Sequence, residues 1–115
     1  MAFSEIEAAL IETMMESYIN SRRPPTHLRK KVDLAFRLRD QSVEIFEIRP
    51  SFFEPSTTVE NFVAKATFVK RTREWRIYWM PSDLTWQRYE PTPEVASIEE
   101  FIQTTEDDEH ACFWG

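Results

Sequence analysis

The first twenty residues carry apolar positions at helical spacing. One wide apolar stripe consists of Phe3, Ile6, Leu10, Met14 and Tyr18, flanked by Ile11, Met15 and Ile19. Because this spacing places apolar side chains on one side of a helix, the pattern predicts an amphipathic α-helix. Ser4 with Glu7 three residues later is typical of a capping box. We expect Pro24-Pro25 to end the helix.

Four segments with period-two alternation follow, at residues 32–39, 43–49, 62–69 and 75–80. This alternation is typical of half-buried strands, and Asp40-Gln41 between the first two is predicted to be a tight turn. The second segment is apolar on both sides around Ile45 and Phe46, as in a central or bulged strand. The pattern of the third segment predicts one face formed by Phe62, Ala64, Ala66 and Phe68.

A second helix is predicted near the C-terminus. Ser97 and Glu100 are spaced as in another capping box, and apolar residues follow in amphipathic spacing. We expect the apolar last residues, 110–115, to dock on the domain. No strand-helix-strand crossover is visible, so the predicted fold is a single α+β domain spanning residues 1–115. In it, an antiparallel four-stranded meander is flanked by the two helices in the order α-β-β-β-β-α.

Composition excludes several classes of chemistry. The only glycine is Gly115, so a glycine-rich phosphate loop or dinucleotide-binding turn is absent from this chain. His27 and His110 are the only histidines and Cys112 is the only cysteine. We therefore expect no disulfide, no metal site and no cofactor.

The chain is also predicted to have no contact with a membrane. No apolar run approaches the roughly 20 residues that span a bilayer. The N-terminal residues are rich in Glu and lack the basic start of a secretory signal. These features predict a cytoplasmic protein.

The net charge of −6 is unevenly distributed. Residues 1–20 and 81–115 carry −4 and −8, whereas residues 21–49 and 50–80 carry +4 and +2. A basic sheet face with interleaved aromatics would suit single-stranded nucleic acid. Its residues would be Lys65, Lys70, Arg71, Arg73, Arg76 and Tyr78. A solvated sheet face is the alternative interpretation, and the net acidity favours it.

Glu47 and Arg49 lie two residues apart near the end of the second strand, so their side chains share a face. They could form a polar site that binds a metal or an anion, which is the basis of a third hypothesis, a small enzyme. A pocket that also held Trp86 would support that hypothesis. The alternative is an ion pair that stabilises the sheet, which we favour.

Aromatic residues outside the strands provide the candidate partner-binding surface. Phe52 and Phe53 lie in a loop bounded by Pro50 and Pro55, and exposed aromatics in such a loop suggest contact with another protein. Trp86 and Tyr89 are further candidates, although such residues are more often part of a core. Our leading hypothesis is therefore a non-enzymatic protein-binding module, for which a homodimer is one form.

Four sequence motifs together are similar to the DUF3024 family of small bacterial proteins of unknown function. The motifs are Glu47-Ile48-Arg49-Pro50, Trp75…Tyr78-Trp79, Asp83-Leu84…Trp86…Tyr89 and Asp108…Cys112-Phe113-Trp114-Gly115. The resemblance covers residues 24–115 and implies a bacterial origin and a single domain, but no activity. Gln87 stands where the family usually has a histidine.

Overall fold

The computed structural model describes residues 3–115. It contains two helices, α1 (Glu5–Arg22) and α2 (Ile98–Asp107), with a short 3-10 turn at Thr26–Leu28. The strands are β1 (Asp33–Arg39), β2 (Ser42–Pro50), β3 (Thr58–Val69), β4 (Glu74–Trp79), β5 (Gln87–Arg88) and β6 (Glu94–Val95). They form one antiparallel sheet in the order β1-β2-β3-β4-β5, with β6 also paired to β4. The predicted α+β class and antiparallel meander are confirmed.

Helix α1 begins at the predicted capping box. The Ser4 hydroxyl accepts the Glu7 N–H at 3.2 Å, and the Glu7 carboxylate accepts the Ser4 N–H at 2.9 Å. These reciprocal bonds satisfy two backbone groups that have no partner within the helix. The helix ends at Arg22, just before Pro24-Pro25, as the sequence predicts.

The buried side of α1 differs from the centre of the predicted stripe. Ile11, Met15 and Ile19 are buried, whereas Ile6 and Leu10 are 77% and 62% exposed. The helix is rotated so that the flanking positions contact the sheet. The wide apolar stripe defines which half of the helix is apolar, but not which residues within it meet the core.

A β-bulge separates the two ends of β3. The pairing register steps from Ile45 opposite Ala64 to Phe46 opposite Phe62, which leaves Val63 without a partner. One extra residue reverses the alternation of side chains. The prediction that Phe62 shares a face with Ala64 is therefore wrong: Phe62 packs against Phe46 on the other face, with ring centroids 5.9 Å apart.

The outer edge of β4 is covered by two short strands, β5 and β6, which are absent from the four strands predicted from the sequence. Both β5 and β6 have only two residues, too few to show an alternation, and prolines interrupt the segment between them. The Tyr89 N–H donates to the Ile77 carbonyl at 2.9 Å, and the Ile77 N–H donates to the Pro93 carbonyl at 3.0 Å. This pairing places the Tyr89 side chain in the core.

Both helices cover the same face of the sheet. The buried core joins α1 and α2 to β1–β4, and its fully buried large side chains are Tyr89, Phe101, Met15, Ile45, Ile77 and Val43. The opposite face, which we call the open face, has no helix over it among residues 3–115. Along this face Glu44 lies opposite Lys65 and Lys65 opposite Tyr78, in one row across three strands.

The C-terminal residues dock on the domain, as expected from their apolar composition. Asp108 lies just after α2, and its carboxylate accepts the backbone N–H groups of Phe113 at 3.0 Å, Trp114 at 2.8 Å and Gly115 at 3.2 Å. The Phe113 ring is buried and lies 4.8 Å from the Tyr89 ring. No helix in residues 3–115 is long and apolar enough to cross a membrane.

Candidate functional site

The hairpin of β2 and β3 extends beyond the rest of the sheet. Strand β4 ends at Trp79, which lies opposite Ala64, and the next residues turn away at Met80-Pro81. Since proline has no N–H to donate, Pro81 is poorly suited to continue the pairing with β3. On the other side, β1 pairs with β2 only as far as Ile48. Residues 49–61 therefore project as an arm, and every residue from 52 to 61 is exposed.

Two phenylalanines lie at the tip of this arm. Phe52 and Phe53 are each 92% exposed, and their rings are 5.4 Å apart in an edge-to-face arrangement. The loop that carries them is held by backbone bonds: Ser51 N–H donates to the Thr57 carbonyl, and Thr57 N–H to the Glu54 carbonyl, both at 2.9 Å. The loop conformation is thus fixed without burial of either aromatic ring.

Leu84 is exposed at the same end of the sheet, in the connection between β4 and β5. It is 76% exposed and has φ 62°, in the left-handed region that branched and bulky residues avoid. A non-glycine residue in this region costs roughly 1–2 kcal/mol. The Leu84 N–H donates to the Pro81 carbonyl at 3.0 Å, and the Asp83 carboxylate accepts the Thr85 N–H at 3.1 Å.

A groove of about 440 Å³ separates the start of β3 from this connection. It is lined by Glu60, Asn61, Phe62, Met80, Pro81, Ser82 and Leu84. Residues 50–64 and 80–87 contain three acidic residues, Glu54, Glu60 and Asp83, and no lysine or arginine. We call the exposed side chains of Phe52, Phe53, Val59 and Leu84, together with this groove, the distal surface.

The open face carries three of the six residues predicted for nucleic-acid binding, Lys65, Arg76 and Tyr78, together with Trp86. Lys65 Nζ lies 4.7 Å from the ring centroid of Tyr78 and 4.9 Å from that of Trp86. Phe62 and Trp86 are packed edge to face at 5.4 Å. Burial lowers the pKa of Lys65, and the nearby Glu44 partly opposes this effect. The aromatic rings of this face therefore already contact the protein's own lysine.

Acidic side chains accompany most of the cations on this face. Arg37 pairs with Glu60, Arg88 Nη2 lies 3.4 Å from Glu94, and Arg39 Nε lies 4.0 Å from the buried Glu44. Arg76, another of the predicted residues, lies in register with Glu94. Of the predicted basic residues, the open face therefore carries only Lys65 and Arg76, and the positive charge on it is not continuous.

The remaining predicted basic residues lie near the start of α1. Lys70, Arg71 and Arg73 occupy the turn between β3 and β4. The pKa of Glu7 is lowered by its hydrogen bonds with Ser4, and Lys70 and Arg73 lower it further. Part of the charge asymmetry seen in the sequence is therefore balanced within the fold.

Glu47 and Arg49 lie on the helix-covered face and bind each other. Arg49 Nε donates to Glu47 Oε1 at 3.2 Å. They line a cleft of about 330 Å³ together with Arg22, Asp33, Trp114 and three apolar residues. Trp86 lies on the open face, so the pocket that would have combined it with this pair is not formed. Within residues 3–115, no three histidine, cysteine or carboxylate side chains are placed to hold a metal ion.

The structure separates the four predicted partner-binding residues. Phe52 and Phe53 are exposed at the tip of the arm, and Trp86 is half-buried on the open face. Tyr89 is only 2% exposed and packs in the core, where burial raises its pKa. A buried ring cannot contact a partner, so Tyr89 does not belong to an interaction surface. Leu84 was not among the predicted partner-binding residues, although an apolar residue after Pro81-Ser82-Asp83 was an available signal.

The fold defines a small α+β protein in which two helices cover one face of an antiparallel sheet. Residues 3–115 match the family described as Domain of unknown function (DUF3024), and the chain belongs to that family. The resemblance inferred from the four motifs is therefore confirmed, and it extends over α1 as well. No curated protein and no solved structure matches the chain.

Proposed function

We propose that this protein works by binding a partner protein on the distal surface, and not by catalysis. The observation that carries the proposal is the pair of aromatic rings at the tip of the arm. Phe52 and Phe53 are each 92% exposed on a loop that its own backbone bonds hold in place. Aromatic residues presented in this way are typical of interaction surfaces, where they fill pockets of the partner.

Leu84 provides independent support. Its backbone is in a strained conformation and its apolar side chain is exposed, and both features cost free energy in the isolated protein. Asparagine or glycine would suit the same backbone position better. A leucine that lowers stability is explained if its side chain is buried only when a partner binds.

Charge indicates the kind of partner. In the arm, Arg49 pairs with Glu47 and Glu60 pairs with Arg37. The remaining charges are Glu54 in the arm and Asp83 in the adjoining connection, so a basic apolar surface would complement them. A second copy of this chain would bring the same two unneutralised acids, Glu54 and Asp83, together, which disfavours the homodimer.

The two alternative functions have weaker support. For nucleic acid, the predicted cations do not form one surface: Lys65 and Arg76 lie on the open face, whereas the other three lie in the turn between β3 and β4. The other cations of the open face, Arg37, Arg39 and Arg88, lie beside carboxylates. For a small enzyme, the Glu47 and Arg49 side chains are paired with each other. Neither arrangement presents a group poised for a ligand.

The proposal is tested by selecting random displayed peptides on the immobilised protein. The selected peptides are then measured on the double variant Phe52→Ser/Phe53→Ser. The matched control is Ile6→Ser/Leu10→Ser, which removes two exposed apolar side chains from α1 instead.

We expect peptides that bind the wild type and the control equally. The binding free energy of these peptides for the Phe52/Phe53 variant should be weaker by about 2 kcal/mol or more, which is about 30-fold in affinity. The reason is that aromatic anchors dominate binding energy. Failure to select any peptide, or equal binding to both double variants, would contradict the proposal.

A further inference from the structure

The first five residues of β3 have one edge without a neighbouring strand. Residues 58–62 pair with β2, whereas pairing with β4 begins only at Ala64. Within residues 3–115, no other strand pairs with this segment. Unpaired strand edges are sites where a further strand can add.

The register identifies the backbone groups on that edge. The Ser51 N–H donates to the Thr57 carbonyl, and Pro50, which has no N–H, lies opposite Thr58. In two antiparallel strands, directly opposite residues alternate between hydrogen-bonded and non-hydrogen-bonded pairs. Ser51 and Thr57 form a hydrogen-bonded pair, so Val59 and Asn61, two and four residues further along β3, also hydrogen-bond to β2. The N–H and C=O groups of Thr58, Glu60 and Phe62 therefore point away from β2, toward the groove.

We infer that the partner contributes an extended segment that adds to the sheet as a strand along this edge. This inference rests on the proposed function and specifies its binding mode. Five residues of strand span about 17 Å, which sets the length of the added segment. Alternate side chains of the added strand would enter the groove and contact Phe62, Met80 and Leu84.

The composition of the groove specifies the segment. Its apolar lining selects apolar residues at alternate positions of the partner strand. Glu60 is already paired with Arg37, and the other two acids, Glu54 on the loop and Asp83 on the connection, select lysine or arginine in or beside the segment. The predicted ligand is thus a short, extended, basic and apolar segment of another protein.

The first test is an N-methyl scan of a peptide selected on the wild-type protein that depends on Phe52 and Phe53. An added strand uses its backbone N–H groups at every second residue. We expect methylation to weaken binding by about tenfold or more at alternate positions, and by little at the positions between them. Replacing the lysines and arginines of the peptide by glutamate should also weaken binding.

The second test changes the edge of the protein. Glu60→Pro and Glu60→Ala both remove the carboxylate, but only proline removes the outward N–H. We expect Glu60→Pro to bind about tenfold more weakly than Glu60→Ala. Thr58→Pro against Thr58→Ala repeats the comparison if Glu60→Pro does not fold, because Thr58 has the same outward orientation.

The outcomes separate this inference from the proposed function. Strand addition would be overturned by two results together. The first is a peptide that depends on Phe52 and Phe53 but whose loss of affinity on N-methylation does not alternate along its sequence. The second is equal binding of that peptide to Glu60→Pro and Glu60→Ala. The protein-binding function would then stand with another binding mode. Selection of no peptide that depends on Phe52 and Phe53 would overturn the proposed function itself.

Discussion

The carboxylate of Asp108 holds the C-terminal residues on the domain, and its removal should destabilise the protein measurably. Two of its three bonds, to the N–H groups of Phe113 and Trp114, are partly buried, whereas the bond to Gly115 is exposed. Hydrogen bonds to charged groups contribute about 1.5–3 kcal/mol when buried. For partly buried bonds we take about 1 kcal/mol each, which gives about 2 kcal/mol for the pair.

The backbone of Asp108 adds a second contribution. Its φ of 43° and ψ of 50° lie in the left-handed region, which aspartate and asparagine tolerate better than alanine. Asp108→Ala should therefore lower the free energy of unfolding by about 3 kcal/mol. Asp108→Asn keeps one acceptor oxygen and the preference for the left-handed backbone. This substitution should therefore lower the free energy of unfolding by only about 1–2 kcal/mol.

Urea denaturation followed by far-ultraviolet circular dichroism measures these differences. The control is Glu109→Ala, which removes an exposed acid next to Asp108 and should change stability by less than about 0.5 kcal/mol. Hydrogen exchange should also show faster exchange of the Phe113 and Trp114 amides in both Asp108 variants. Unfolding free energies equal to that of the wild type would refute the assigned role of the carboxylate.

Two further predictions concern the ion pair between Arg23 and Asp33 and the exposed Leu84. Arg23 donates to both carboxylate oxygens of Asp33, at 2.8 and 2.7 Å, and these bonds lower the pKa of Asp33 below its ordinary value of 3.8. A lowered pKa stabilises the fold above the unfolded-state pKa, and this contribution is lost as the pH falls through the folded-state pKa. Asp33→Asn should therefore lower the free energy of unfolding by about 1 kcal/mol at neutral pH, and by progressively less as the pH falls. Thermal or urea melts measure this difference. A difference that does not change with pH would contradict the stabilising role of the Asp33 carboxylate. Leu84→Asn should raise the free energy of unfolding by about 0.5–1 kcal/mol, because asparagine suits the left-handed backbone better than leucine. The same substitution should weaken the binding of selected peptides. A loss of stability in the same urea melts would show instead that the leucine supports the fold.

Local patterns were sufficient to predict most of the secondary structure. The capping box at Ser4, the turn at Asp40-Gln41 and the alternation of β1 and β4 all depend on residues close in sequence. The bulge at Val63 depends on how β2 and β3 pair, which the alternation of one strand does not report. The same non-local pairing defines β5 and β6, whose own sequences are too short to carry a signal.

The candidate site was only partly predictable for similar reasons. The proline-bounded loop identified Phe52 and Phe53, because turn residues and exposed aromatics can be read from the sequence. Burial of Tyr89 depends on its pairing with β4, and the separation of Trp86 from Glu47 depends on which face each strand presents. The unpaired edge of β3 follows from the different lengths of β3 and β4, a property of the assembled sheet.

We propose that Phe52 and Phe53 serve binding and not folding. The most direct test measures, by fluorescence anisotropy, the Kd of a selected peptide for the wild type and for Phe52→Ser/Phe53→Ser, alongside the melting temperature of each protein. We predict a Kd raised by about 30-fold or more with a melting temperature within about 2 °C of the wild type. An unchanged Kd, or a melting temperature lowered by many degrees, would contradict the account.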